Sequence, residues 1–281
     1  MVSLAARRRA AASLEQTDGV SERRACRVLC WHRSTKRRQP GPLEREAVVA
    51  RIHVLSERYP RFGYRTIFTL LKAEQWPVSR ETVRRLRRRE GLQVGKKARK
   101  RHPVGTNTAV PTRAAYPHHV WSDDCVHDDT TDGRRLKCLT VLDEYTREGL
   151  TIDCARSITA GDVVQVLQRL FAQRGAPEYV KSDHGPEFVA QQVTNWLRAH
   201  HVDTTFIEPG RPWQNGHNES FNGVFRDGCL DRWLFVSVQE ARRLISHWLE
   251  AYNHERPHGA LDGLTPAAFA AQGRASRENV A

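Results

Sequence analysis

The chain has 281 residues, 39% of them hydrophobic, and a formal net charge of +13, enough to bury a sizeable core and carry a main domain with smaller ones beside it. No run approaches the roughly 18 consecutive apolar residues of a membrane span, and the opening MVSLAARRRAAAS has no apolar stretch of signal-peptide length, so the expectation is a cytoplasmic protein with no membrane partner. Residues 1–110 hold 27 Lys and Arg against 9 Asp and Glu, and the remainder 18 against 23, as expected of a front half that grips a polyanion, most naturally DNA, and a rear half with another task.

Residues 1–17 read as a basic tail. DGVSERRACRVLCWHRSTKRR, at 18–38, predicts two short helices with Val20, Ala25, Val28 and Leu29 on one apolar face, a helix-turn-helix-like segment that extends to 42. Cys26, Cys30 and His32 lie close in sequence, but the six cysteines form no CxxC pair, which argues against a structural zinc site and a disulfide framework. After a Pro-Gly-Pro break, residues 43–94 form a second helix-turn-helix-like domain: Val48, Val49, Ile52 and Leu55 keep helical spacing, and Ile67, Leu70 and Leu71 resume it. Ser79 is then the expected N-cap of a helix with Val83 and Leu86 inward and Arg84, Arg85, Arg87, Arg88 and Arg89 outward, suited to a DNA groove. Residues 95–116, with Lys96 and Lys97, are a Pro- and Gly-broken basic linker that tracks a phosphate backbone.

From Val120 the texture changes. VWSDDCV, KCLTVLDEY and EGLTIDCA are β-type runs separated by turn signals such as Asp132-Gly133; helix, strand, helix, strand and two further helices follow. A meander succeeded by α/β alternation predicts a mixed sheet flanked by helices, an α/β catalytic core over 117–232 with a helical extension over 233–281, preceded by the all-α helix-turn-helix region.

The strand EYVKS leads into Asp183 and breaks on Gly185-Pro186. A turn-forming aspartate is one reading; a metal ligand at a strand tip is the other. Asp123 and Asp124 on the first run point to opposite faces, so at most one joins Asp183. Glu219 lies on a helix where it shares a polar face with Asn222 and Arg226, opposite Phe221, Val224 and Phe225. Three carboxylates converging from two strands and a helix suit hard divalent cations such as magnesium or manganese. Two such ions would clamp the attacking and leaving oxygens of a phosphoryl displacement.

WSDDCVH resembles the WxxDxxH start of the retroviral-integrase catalytic core, and 35 residues separate Asp183 from Glu219, the spacing of the DDE superfamily. SDHGPEF, FIEPGRPWQNGHNESFNGVFRD, YNHERPHGAL and LTPAAF resemble still more closely the catalytic subunits of a large group of bacterial insertion-sequence transposases, encoded by a second reading frame. That resemblance implies a ribonuclease-H-like fold, selects Asp124 over Asp123, and makes Asp124, Asp183 and Glu219 the catalytic, metal-binding triad for two magnesium ions, with manganese as a substitute. It also implies strand cleavage at element ends followed by transesterification into target DNA, a homo-oligomer on double-stranded DNA, and an upstream-frame helix-turn-helix protein as a candidate partner. Two departures are His184, where the group commonly has asparagine, and a front region without the zinc-binding module of retroviral integrases.

Asn218, Asn222 and Arg226 are the expected DNA contacts around the catalytic helix. Asp143 reads as a turn former, Glu187 as a helix N-terminal acid, Trp213 as a stacking or packing residue, and His254 and His258 as capping or surface residues. Two rival readings share these features: a non-catalytic DNA-binding protein derived from a transposase, and a ribonuclease-H-like nuclease without strand transfer.

Overall fold

The structure, a computed structural model, describes residues 4–17, 19–37, 43–95, 114–182, 191–206 and 215–278; Lys96, Lys97, Asp183, His184, Glu187 and Trp213 fall outside them. The chain divides into two compact units, Met1–Val54 and Leu55–Ala281.

In the first unit, residues read as a tail form helix α1 (Leu4–Thr17), since alanine and arginine are strong helix formers that need no apolar stripe to propagate. It is followed by α2 (Glu22–Val28), α3 (Arg33–Arg37) and the start of α4 (Leu43–Arg58). Ala11, Ala25, Cys26 and Trp31 are buried. Glu22 joins α2 to α3 through Arg37 at 2.6 Å and Arg33 at 3.3 Å. Val28, expected inward, is 66% exposed, and Cys26 takes the buried position instead.

The second unit opens on the end of α4, then α5 (Tyr64–Ala73) and α6 (Arg80–Arg89). α5 and α6 pack together and bury Ile67, Leu71, Val83 and Leu86. Ser79 caps α6 as its sequence predicts, accepting the Thr82 N–H at 3.2 Å, an interaction that stabilises the helix by about 1 kcal/mol.

The larger part is a five-stranded sheet in the order β3-β2-β1-β4-β5. β1 (Val120–Asp129), β2 (Arg135–Asp143) and β3 (Gly149–Ala155) form the antiparallel meander; β4 (Tyr179–Ser182) pairs parallel to β1, and β5 (Asp203–Phe206) parallel to β4. The β1–β2 turn passes through Gly133 at φ 74°, a backbone state glycine adopts without cost. Parallel neighbours require crossovers, supplied by α7 (Ala160–Arg174) before β4 and α8 (Gln191–Ala199) before β5. Thr159 starts α7 with a capping box to Asp162.

Alternation along β1 and β2 divides the apolar residues between the two sheet faces. Trp121, Leu139 and Val141 cluster with Val163, Val166, Leu167 and Leu170 of α7 and Leu197 of α8. Val126, Leu136 and Cys138 cluster with Phe221 and Phe225 of α9 (Gly216–Gly228) and Ile245 and Tyr252 of α10 (Val238–Glu255). Each fully buried side chain of this size contributes about 1.5–3 kcal/mol. Two glycines set how closely the second layer approaches: a Cβ on Gly149 would come within 2.6 Å of Leu249 Cδ1 and 3.0 Å of the Phe221 ring, and one on Gly228 within 2.8 Å of Trp248 Nε1. A last helix, α11 (Pro266–Glu278), follows. Among the described residues no helix is long and apolar enough to cross a membrane.

Candidate active site and nucleic-acid face

β1 runs through the middle of the sheet, and its two adjacent aspartates separate as the pleat requires. Asp123 is buried and Asp124 half-buried. Asp124 faces α9: its Oδ2 accepts the Asn222 Nδ2–H at 2.7 Å, and its Oδ1 accepts the Cys125 N–H at 2.7 Å. Directly opposite Asp124 in the β1–β2 register stands Thr140. The Thr140 hydroxyl lies 3.1 Å from the Asp124 carbonyl oxygen and 3.1 Å from Asn222 Oδ1. Its position was legible as a polar residue inside the apolar run KCLTVLD.

Glu219 stands exposed on α9, one turn before Asn222, while Phe221 and Phe225 anchor the helix in the core. Arg226 Nη2 donates to the His127 carbonyl at 2.7 Å, tying the far end of the same helix to β1. A carboxylate on the central strand and one on the helix packed against it are thus brought to one face. Asp183 follows the last residue of β4, Ser182, but lies outside the described residues, so the three carboxylates are not measured together.

β4 is pinned by a buried ion pair that sequence reasoning missed. Lys181 Nζ donates to Glu144 Oε1 at 2.9 Å and Oε2 at 3.1 Å, with both side chains at most 5% exposed. Burial holds the Glu144 carboxyl above its ordinary range, against the opposing pull of Lys181. Removing one member of such a pair costs about 3–5 kcal/mol, because the other is left charged in a dry site. Asp143 is the turn former its sequence suggests: Oδ1 accepts the Tyr145 N–H at 2.8 Å and Oδ2 the His118 N–H at 2.9 Å.

Several expected DNA contacts are corrected by the geometry. Asn218 is fully buried within reach of Thr140, and Asn222 turns inward to Asp124; both occupy the stripe of α9 that meets the sheet. Arg226 is half-buried and spends one N–H on a carbonyl. On α6, Arg87 is 4% exposed and donates to the Phe62 carbonyl at 2.8 Å; helical periodicity puts it one position after Leu86 on the inward edge. Arg85 and Arg88 are exposed, Arg84 pairs with Glu81 at 3.2 Å and Arg89 with Glu90 at 2.8 Å. His254 is exposed as expected, but His258 is packed against Tyr252, its Nε2 2.9 Å from the phenol oxygen.

The mixed meander-plus-crossover sheet, with α9 carrying a carboxylate against the central strand, is the ribonuclease-H-like fold of integrase cores. An integrase core domain model matches residues 114–212, a second one 200–266, and an HTH-like domain model 43–101. A protein of insertion element IS407 from Burkholderia multivorans is 38% identical over 267 residues, spanning 95% of this chain and 96% of its own length. One of insertion element IS476 from Xanthomonas euvesicatoria is 39% identical over 267 residues, spanning 95% and 77%. A chain of the simian T-cell lymphotropic virus intasome, solved in complex with PP2A regulatory subunit B56 gamma, has the same fold at a TM-score of 0.51 and 16% identity, covering 79% of this chain and 74% of that one. The chain belongs to the bacterial insertion-sequence transposases with an integrase-type core.

Proposed function

We propose that the protein is a DDE-type transposase that cuts DNA at element ends and joins the freed ends to target DNA, with Asp124, Asp183 and Glu219 as its catalytic, metal-binding carboxylates. The observation that carries this is the Asn222–Asp124 hydrogen bond, which brings the helix bearing Glu219 onto the central strand at Asp124. The third member follows directly in sequence on β4, which pairs parallel to β1 with Ser122 level with Lys181.

The oxygen-only donor set fits hard divalent cations, magnesium with manganese as substitute, in a pair. Bound there, the ions supply charge neutralisation on the attacking and leaving oxygens. The side chains' task is to hold and orient: Asp124 is fixed by two hydrogen bonds and Glu219 by its helix, while Lys181 anchors the end of β4. In the first reaction water displaces one strand's 3′ oxygen from a phosphodiester, leaving a 3′ hydroxyl and a 5′ phosphate. In the second that hydroxyl attacks a target phosphodiester and displaces the target's 3′ oxygen, so no protein nucleophile is consumed. Arg85 and Arg88 of α6 serve as phosphate contacts on double-stranded DNA, and a homo-oligomer on DNA is the expected assembly, with an upstream-frame protein as an optional partner.

The test is a cleavage and strand-transfer assay on labelled element-end DNA with Mg²⁺ or Mn²⁺, comparing wild type with Asp183→Asn and Asp124→Asn. Metal-dependent nicks and joined products that vanish in both variants are the expected result. Equal DNA binding with no cutting by any of the three, even with the upstream-frame product added, would leave a DNA-binding protein only; nicks without joining would leave a nuclease.

A further inference from the structure

Asn218 and Asn222 of α9, which sequence reasoning assigned to DNA, turn toward the sheet, and what they meet there is informative. Ser122 and Asp124 of β1, Thr140 of β2, and Asn218 and Asn222 of α9 form a polar seam between sheet and helix, inside a layer otherwise built from Phe221, Phe225, Leu136 and Cys138. Such a seam is a poor way to gain stability. Among the described residues, Ser122 Oγ and Asn218 Nδ2 are buried with no hydrogen-bond partner, and a buried polar group so left costs about 1–3 kcal/mol. Apolar residues of the same size would hold the helix down at least as well.

What apolar packing cannot supply is a fixed torsion for a carboxylate. The Asp124 side chain rotates about two bonds, and its oxygens must be aimed if Asp124 and Glu219 are to hold a divalent cation together. Here a chain of three groups sets that aim. The Thr140 hydroxyl, held on the neighbouring strand, shares its one proton between Asn222 Oδ1 and the Asp124 carbonyl oxygen, each 3.1 Å away; with the amide oxygen on that side, Asn222 Nδ2 donates to Asp124 Oδ2 at 2.7 Å. Asn222 also lies one helical turn from Glu219, so the hydrogen bond that aims Asp124 fixes the axial position of α9 and with it the height of Glu219 along β1.

We infer that Asn222, oriented by Thr140, is a positioning residue that presets Asp124 and Glu219 for divalent-cation binding, and that it is not a DNA contact. This rests on the metal-site reading above. Partners that orient a metal-binding carboxylate typically change metal affinity by about 10–100-fold when removed.

The experiment is a Mn²⁺ titration of the full chain without DNA, read as the rise in unfolding temperature, since an ion at free concentration c that binds only the folded state stabilises it by RT ln(1 + c/Kd), which yields the half-occupancy (midpoint) concentration. The variants are Asn222→Ala, Thr140→Val, Thr140→Ser and Asp124→Asn. The expected result is a midpoint Mn²⁺ concentration raised about tenfold or more in Asn222→Ala, raised less in Thr140→Val, and restored in Thr140→Ser, with DNA affinity in metal-free buffer unchanged in these three and the Mn²⁺ response lost in Asp124→Asn. A purely structural role would lower the metal-free unfolding temperature and leave the midpoint where it is. If Asn222→Ala and Thr140→Val titrate like wild type while Asp124→Asn loses the response, the metal site stands and the inference falls. If Asp124→Asn also responds like wild type, or wild type does not respond, the metal-site reading fails and takes the inference with it. Should Asn222→Ala not fold, the Thr140 pair decides the same question.

Discussion

Single side chains in this molecule are sorted by what surrounds them more than by their type. His254 and His258 are four residues apart, yet one is solvated and the other is packed on Tyr252. Burial, aided by the positive charge of Arg256 and Arg147, lowers the His258 imidazole from its ordinary 6.5 to about 4. Its folded-state value is depressed, so the unfolded chain takes up the proton first as pH falls. The stability tied to the neutral ring is therefore complete above 6.5 and is lost between 6.5 and 4. Urea-denaturation midpoints should drop across that window, and the drop should shrink in His258→Gln. A pH profile identical in the variant would show that the ring does not carry the effect. The sequence offered no sign of this, since His258 sits in a polar stretch, HERPHGA, whose folding onto Tyr252 is a tertiary event.

At the level of elements, α6 demonstrates the limits of a charge run. The five arginines between positions 84 and 89 look alike in the sequence, but Arg87 is committed to the Phe62 carbonyl and Arg85 and Arg88 are exposed. Arg87→Ala should destabilise the protein by about 1–3 kcal/mol, the cost of stranding a buried carbonyl together with lost packing, visible as a lower unfolding temperature. Arg85→Ala and Arg88→Ala should leave that temperature within a degree or two and reduce the salt dependence of DNA binding by about one counterion each. The reverse pattern would show that the inward and outward faces of α6 have been misjudged. The strands and helices of the core were legible because alternation, helical spacing and turn residues agreed along the chain: β1, β2 and β3 were expected as three runs and are three strands. α1 was not, because a helix with arginines and alanines on every side has no apolar stripe to betray it. The inward turn of Asn218 and Asn222 was hidden for a related reason, since a polar stripe facing a polar strand residue reads like a polar stripe facing water.

For the whole molecule, the charge division has a direct experimental face. The basic residues are concentrated before position 110 and the candidate carboxylates after it, so the proposed function assigns holding DNA and cutting DNA to separate groups. Chelation by EDTA should abolish nicking while lowering DNA affinity by less than about threefold, as read by gel shift at fixed ionic strength, because phosphate contacts by arginine need no divalent ion. Loss of binding together with cutting would mean that the cations form part of the DNA grip. The candidate site was read in the sequence as three acids, and the structure places two of them, Asp124 and Glu219, on the central strand and on the helix packed against it. Thr140, Lys181 and Glu144, which hold the strands and helix around those acids, come from segments far apart in sequence and gave no local signal beyond one threonine in an apolar run.

Gly149 and Gly228 lie where α10 presses on β3 and on the end of α9, with Leu249, Phe221 and Trp248 filling the space that a methyl group would need. The layer that carries Glu219 therefore has its spacing set by two hydrogen atoms in place of side chains. In a mobile element, whose copies gather random substitutions once they have inserted, that makes for silent casualties. A copy with alanine at either position would keep every acid in its place in the reading frame while Leu249 or Trp248 was forced to shift, and a census of functional copies made by counting intact carboxylates would number it among the living.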